Sequence, residues 1–239
     1  MSRSIRGCLI CRPLEFPFLP TFVVEESQPP QVNHGAVSPA AGNAIATLRR
    51  FTRARAAEEE RCELCNARLA PIHRHLLDMG SRKAVCACDP CGLRFSDVVD
   101  GRFKLIPRDA RALPGFRLTE EDWESFALPI NLAFFFRTSA GKMVALYPSP
   151  AGATESLLAL TSWEELVNGN PVLAGMQSDV EALLVNRVGT TRKYFIAPVD
   201  ACYELVGLIR MHWRGLSGGE AVWKEISGFF ERLEAGCGT

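Results

Sequence analysis

Two C-x-x-C pairs, Cys62-Glu-Leu-Cys65 and Cys88-Asp-Pro-Cys91, constrain this chain more than any other feature. Two thiolates spaced by two residues can chelate one metal from a tight turn, with backbone N–H groups aimed at the sulfurs. Two such turns complete a tetrahedral four-sulfur shell. Twenty-two residues separate Cys65 from Cys88, slightly more than the spacing of about 15–20 usual for zinc sites of this kind. The predicted metal ligands are therefore Cys62, Cys65, Cys88 and Cys91.

The segment between the pairs predicts a β-hairpin. His73-Arg-His-Leu-Leu-Asp-Met79 and Arg82-Lys-Ala-Val-Cys-Ala-Cys88 flank Gly80-Ser81. Glycine first in a two-residue loop suits a type II′ turn. Pairing Met79 with Arg82 then sets His75 opposite Cys86 and His73 opposite Cys88. Side chains alternate faces along a strand, so these four would share one face. His73, His75 and Cys86 are thus candidate additional ligands, for a second partial site or a mixed Cys/His shell. The competing reading makes them hydrogen-bonded strand residues beside the metal. Metal-binding turns joined by a hairpin have the architecture of a zinc ribbon or a rubredoxin-like knuckle.

Four thiolates suit zinc, which in a closed shell is structural. They also suit a single iron or an iron–sulfur cluster, either of which would carry electrons. Rubredoxin-type turns often place Gly after the second Cys of each pair. Gly92 fits, whereas Asn66 occupies the other position. Zinc is the expected metal, with iron or an iron–sulfur cluster as the alternative.

The remaining cysteines bear on the compartment. There are nine in all, so they cannot all pair within one chain. No secretory signal is visible, because Pro13, Pro17 and Pro20 break the early apolar stretches. Cys8 lacks the preceding apolar region of a lipid-attachment site, and only two residues follow Cys237, too few for prenylation. No apolar run is long enough to span a membrane. These features predict a reducing cytoplasm, where close cysteines bind metal more often than they bridge. Cys8 and Cys11 form an isolated C-x-x-C, read as a chance pair, with half a metal site or a redox pair as the functional alternatives. Cys202 reads as a small buried hydrophobe.

Charge excludes other partners. Lys+Arg and Asp+Glu both number 27, giving net zero, which argues against a dedicated nucleic-acid binder. It also gives no electrostatic attraction to a membrane surface.

Outside the cysteines the chain reads as α+β. Residues 1–42 predict a poorly ordered extension, rich in Pro, Gly, Ala, Gln and Ser toward its end. Residues 43–60 predict a helix, 61–98 the Cys/His module, 99–234 a largely antiparallel α+β domain, and 235–239 a tail. Within the large domain, short strands are expected at 102–107, 130–137, 142–147, 156–160, 180–187 and 193–197. Thr119 before Glu120, Glu121 and Asp122 predicts a capped helix to about Ala127. Ser162 with Glu165 predicts a second, and 200–213 and 217–233 two closing helices.

No catalytic constellation emerges, and an accessory protein is expected rather than an enzyme. Gly215-Leu-Ser-Gly-Gly219 matches a nucleophile-elbow pattern but follows a predicted helix instead of a strand, so Ser217 with Glu220 reads as a capping box. His212 reads as a packed or surface residue. Glu120, Glu121, Asp122 and Glu124 crowd one helix start, and Trp163 and Trp223 read as core anchors.

The runs Cys62-Glu-Leu-Cys65, His73-Arg-His75-Leu-Leu, Cys86-Ala-Cys88-Asp-Pro-Cys91 and Leu93-Arg-Phe95 resemble a bacterial family of unknown function. That family is associated with operons of high-affinity nickel–iron uptake hydrogenases. The resemblance extends from about Leu48 to Leu233, through Ala133-Phe-Phe-Phe136, Tyr147-Pro-Ser-Pro150 and Cys202-Tyr-Glu-Leu205. It implies a role in hydrogenase assembly or function through protein partners, a hydrogenase subunit or a maturation factor, without specifying a reaction.

Overall fold

The structure is a computed structural model that describes residues 60–96, 101–156, 160–215 and 218–237. The predicted extension over 1–42, with Cys8 and Cys11, and the predicted helix up to residue 59 lie outside the described residues.

Strands β1 (Arg74–Asp78) and β2 (Lys83–Ala87) form the predicted hairpin, with His75 opposite Cys86 and Asp78 opposite Lys83. The register is as expected, but the turn is not a two-residue one. It spans Met79–Arg82, with Arg82 N–H donating to the Asp78 carbonyl at 2.7 Å. Arg82, not Gly80, takes the left-handed conformation, at φ 57°. The physical reason is Asp78, whose Oδ1 accepts from the Gly80 and Ser81 N–H groups at 2.9 and 3.3 Å and fixes the loop as an Asx turn.

A third strand, β3 (Phe103–Leu105), pairs antiparallel with β1. The sheet around the hairpin thus draws its edge from beyond residue 98. Between β2 and β3 lies helix α1 (Asp89–Ser96), opened by Asp89-Pro90, where proline's missing N–H costs nothing.

The second sheet has six antiparallel strands in the order β4-β9-β8-β5-β6-β7. They are β4 (Arg111–Ala112), β5 (Leu132–Arg137), β6 (Met143–Ser149), β7 (Gly152–Ser156), β8 (Glu181–Asn186) and β9 (Lys193–Pro198). Most match the expected strands. β7 begins earlier than residue 156, the start expected for it.

Helices cover both faces, which explains why Leu132-Ala-Phe-Phe-Phe136 is apolar throughout instead of alternating. On one face Phe134, Phe136, Leu184 and Phe195 pack against α4 (Val199–His212) and α5 (Gly219–Gly236). On the other, Phe135, Leu183, Val185 and Ile196 meet α2 (Glu120–Ser125), α3 (Leu160–Gly169) and a 3₁₀ turn at Pro171–Gly175. Full burial of one such side chain contributes about 1.5–3 kcal/mol.

The helix starts test the capping expectations. Thr119 caps α2 with a complete capping box to Asp122. α3 begins at Leu160, so Ser162 lies within the helix and not at the residue before it. α5 is preceded by Gly218 at φ 85° with no side-chain cap. A left-handed residue at that position favours glycine; Ser217, the expected capping-box partner of Glu220, lies outside the described residues.

The hairpin docks on the large sheet through its own alternation. Leu76 faces a small cluster with Cys62 and Ala87, whereas Leu77 enters the core of α4 and α5. Asp179 reinforces the junction. Its buried carboxylate takes Lys104 Nζ at 2.7 Å, Arg82 at 2.8 Å and the Ser139 hydroxyl at 2.6 Å.

Candidate metal centre

The first C-x-x-C is held by a short loop. Cys62 N–H donates to the Ala67 carbonyl at 2.8 Å and Asn66 N–H to the Cys62 carbonyl at 2.7 Å. Asn66 sits at φ 63°. It therefore meets the backbone requirement that glycine meets in related turns, and Asn is among the non-glycine residues most tolerant of it. Glu63 fastens the loop to the hairpin, with its N–H on the Cys86 carbonyl at 2.9 Å and its carboxylate on the Cys86 N–H at 2.7 Å.

The second pair is positioned by α1 and not by a second turn of the same kind. Cys88 immediately precedes the helix, its carbonyl accepting from Gly92 N–H at 2.8 Å, and Cys91 lies in the first turn. Arg74 and Arg108 converge on Asp89 Oδ1 at 2.7 and 3.0 Å and hold the helix start. Gly92 is buried beneath Arg74, and a Cβ there would lie 2.5 Å from Arg74 Cδ. Its role is close packing, not a positive φ.

The four sulfurs lie within 4.8 Å of one another, with Cys65 and Cys88 at 3.6 Å. Zinc–sulfur bonds of about 2.3 Å in a tetrahedron put sulfurs roughly 3.8 Å apart, so the cluster fits such an ion. Burial raises the Cys62 thiol, but N–H groups of Cys88, Cys65 and Leu64 outweigh that and bring it down to about 6. Burial and the neighbouring sulfurs push Cys91 up to about 12. Cys65 is also raised; an Ala67 N–H favours its thiolate, but Cys62 and Cys88 outweigh it. One thiolate forms readily here and makes others costly, as expected where a cation is needed to neutralise the set.

His73, His75 and Cys86 form a separate group whose ligand atoms are also within 4.8 Å of one another. His75 Nδ1 lies 2.8 Å from Asp200 Oδ2, and the two imidazole rings meet edge to face at 4.8 Å. The expectation that Cys88 shares this face is corrected. β2 ends at Ala87, the chain turns into α1, and Cys88 swings to the other cysteines.

A family model matches residues 61–237 of the chain. The chain belongs to DUF5947, a family of unknown function. No curated protein and no solved structure matches it. The DUF5947 match begins one residue before Cys62 and ends at Cys237, so it takes in the four-cysteine group, the His73/His75/Cys86 group and both sheets. Cys8 and Cys11 fall outside it. Among the described residues of this DUF5947 chain, no helix is long and apolar enough to cross a membrane.

Glu120 pairs with the buried Arg187, whose guanidinium also lies over Trp123 at 5.3 Å. Trp163 is buried against Phe135, and Cys202 is fully buried. Trp223 is 41% exposed and is not the expected core anchor; it leans on Trp213 at 6.4 Å. His212 is half-buried at the end of α4. Sequence reasoning missed Asp200, Asp179 and Glu63. Asp200 is 125 positions from His75, and no local pattern marks such a pair.

Proposed function

We propose that this protein is a metal-binding accessory protein whose Cys62, Cys65, Cys88 and Cys91 hold a structural zinc ion. The observation that carries the reading is four sulfurs within 4.8 Å, drawn from a turn and a helix start and joined by one hairpin. A closed thiolate shell leaves no position for substrate, so the ion's contribution is to folding. The zinc module, ribbon-like in having a thiolate pair at each end of a hairpin, stabilises a cytoplasmic α+β domain that works through protein contacts. The resemblance to the hydrogenase-associated family supports a subunit or maturation factor of a nickel–iron hydrogenase as the partner.

The test is elemental analysis and a visible spectrum of protein purified without added metal. One zinc in the four-cysteine site with no thiolate charge-transfer band is expected. Stoichiometric iron with such bands would replace this reading by the electron-transfer one. For the partner, co-purification of a hydrogenase subunit with the tagged chain from a hydrogenase-producing host is expected, and none under those conditions counts against it.

A further inference from the structure

We propose that His73, His75 and Cys86 form a second metal site, separate from the four-cysteine shell, that takes a divalent first-row transition ion with zinc foremost. The deciding observation is His73. Its side chain is 4% exposed, and its Nε2 is buried with no hydrogen-bond partner. Its Nδ1 lies 3.0 Å from the Ala70 carbonyl. A carbonyl only accepts, so the proton is on Nδ1 and the lone pair is on Nε2, the form in which imidazole binds a metal.

His75 carries the second half of the argument. Its Nδ1 donates to Asp200 at 2.8 Å. A carboxylate behind a ligating histidine fixes the tautomer, aims the other nitrogen and raises its basicity. Cys86 stands opposite His75 in the register and is buried. Two nitrogens and one sulfur suit zinc among the common divalent ions. Among the described residues these three groups come together, and a fourth position is left for another donor.

The two sites lie on opposite faces of the hairpin. Cys62 packs with Leu76 and Ala87, whereas His75 shares its face with Leu77 and reaches Asp200 on α4. Cys86 is disulfide-bonded in this structure. A dithiol reductant supplies two electrons and two protons to that bond and is itself oxidised to a disulfide, leaving two thiols. The incoming ion then displaces the Cys86 thiol proton to solvent. The site is therefore complete in the reduced protein.

The experiment uses the full chain, reduced with a dithiol and loaded with zinc, then with cobalt(II) as a spectroscopic substitute. Two ions per reduced chain are expected. His73→Ala should lose one and keep the four-sulfur cobalt spectrum, while Cys62→Ser should lose that spectrum and keep the weaker nitrogen-rich one. One ion per reduced wild-type chain, or two in folded His73→Ala, overturns the proposal without touching the four-cysteine reading. If His73→Ala does not fold, Asp200→Asn carries the test. It should weaken the second ion about 10–100-fold, and an unchanged affinity overturns the site.

Discussion

Arg82 places a guanidinium nitrogen 2.8 Å from Asp179 Oδ1, joining the hairpin turn to the loop that enters β8. Asp179 is fully buried and sits at φ 70°. Burial alone would raise its carboxyl, but Lys104, Ser139 and Arg82 outweigh this and hold it below the usual range. One carboxylate thus gathers the hairpin turn, β3 and the β5–β6 turn.

Replacing Asp179 with Ala removes the carboxylate that Lys104, Arg82 and the Ser139 N–H share. A destabilisation of about 3 kcal/mol is expected, at the lower end of the range for a broken buried pair because both cations reach solvent. The urea midpoint of the metal-loaded protein measures it. A shift below about 0.5 kcal/mol would show that apolar packing such as that of Leu77 holds the hairpin without Asp179.

Asp78 sets an acid limb. Its hydrogen bond from Arg102 and those from Gly80 and Ser81 outweigh burial and depress its carboxyl to about 2. A folded value below the unfolded one means stability present above about pH 4 and lost as pH falls toward 2. The loss should be about 1–2 kcal/mol, reduced by the exposure of Arg102. Asp78→Asn should flatten this limb in pH-dependent unfolding, and a wild-type-like limb in the variant would place the effect elsewhere.

Zinc binding to the four-cysteine site should release protons, since thiolates are the ligands. Cys62, at about 6, is already largely ionised at pH 7.5, while Cys91, at about 12, is not. Cys65 is raised as well, so two or three protons per ion are expected at that site. Titration of the His73→Ala variant in a weakly buffered indicator solution counts them, and four would show that Cys62 starts protonated.

Asn66 offers a backbone test. At φ 63°, Asn66→Gly should leave stability unchanged or raise it by a few tenths of a kcal/mol. Asn66→Val should lower it by about 1–2 kcal/mol and weaken zinc retention. Equal thermal midpoints for the two variants would remove the left-handed conformation from the account.

The paired C-x-x-C motifs, the hairpin register, the capping box at Thr119 and most strands are legible in the sequence because local chemistry dictates them. Alternation, a turn and a side-chain cap act within a few residues. The turn type was not legible, because Asp78 competes with Gly80 for control of the loop through a side-chain hydrogen bond. The face of Cys88 was not legible either, because it depends on where β2 stops and α1 starts. Trp223 shows the same limit: its place in α5 follows from pattern, but its exposure depends on which face of that helix the sheet covers.

By itself, the sequence singled out the candidate ligands: four cysteines in two pairs, with His73, His75 and Cys86 between them. Only the tertiary structure divided these into two groups on opposite faces of a hairpin. It also supplied Asp200 to His75 and left His73 Nε2 buried without a hydrogen-bond partner. The reason is physical. Ligand type and spacing are local properties of the chain, whereas burial and the approach of a carboxylate from 125 residues away exist only once the hairpin packs on the six-stranded domain.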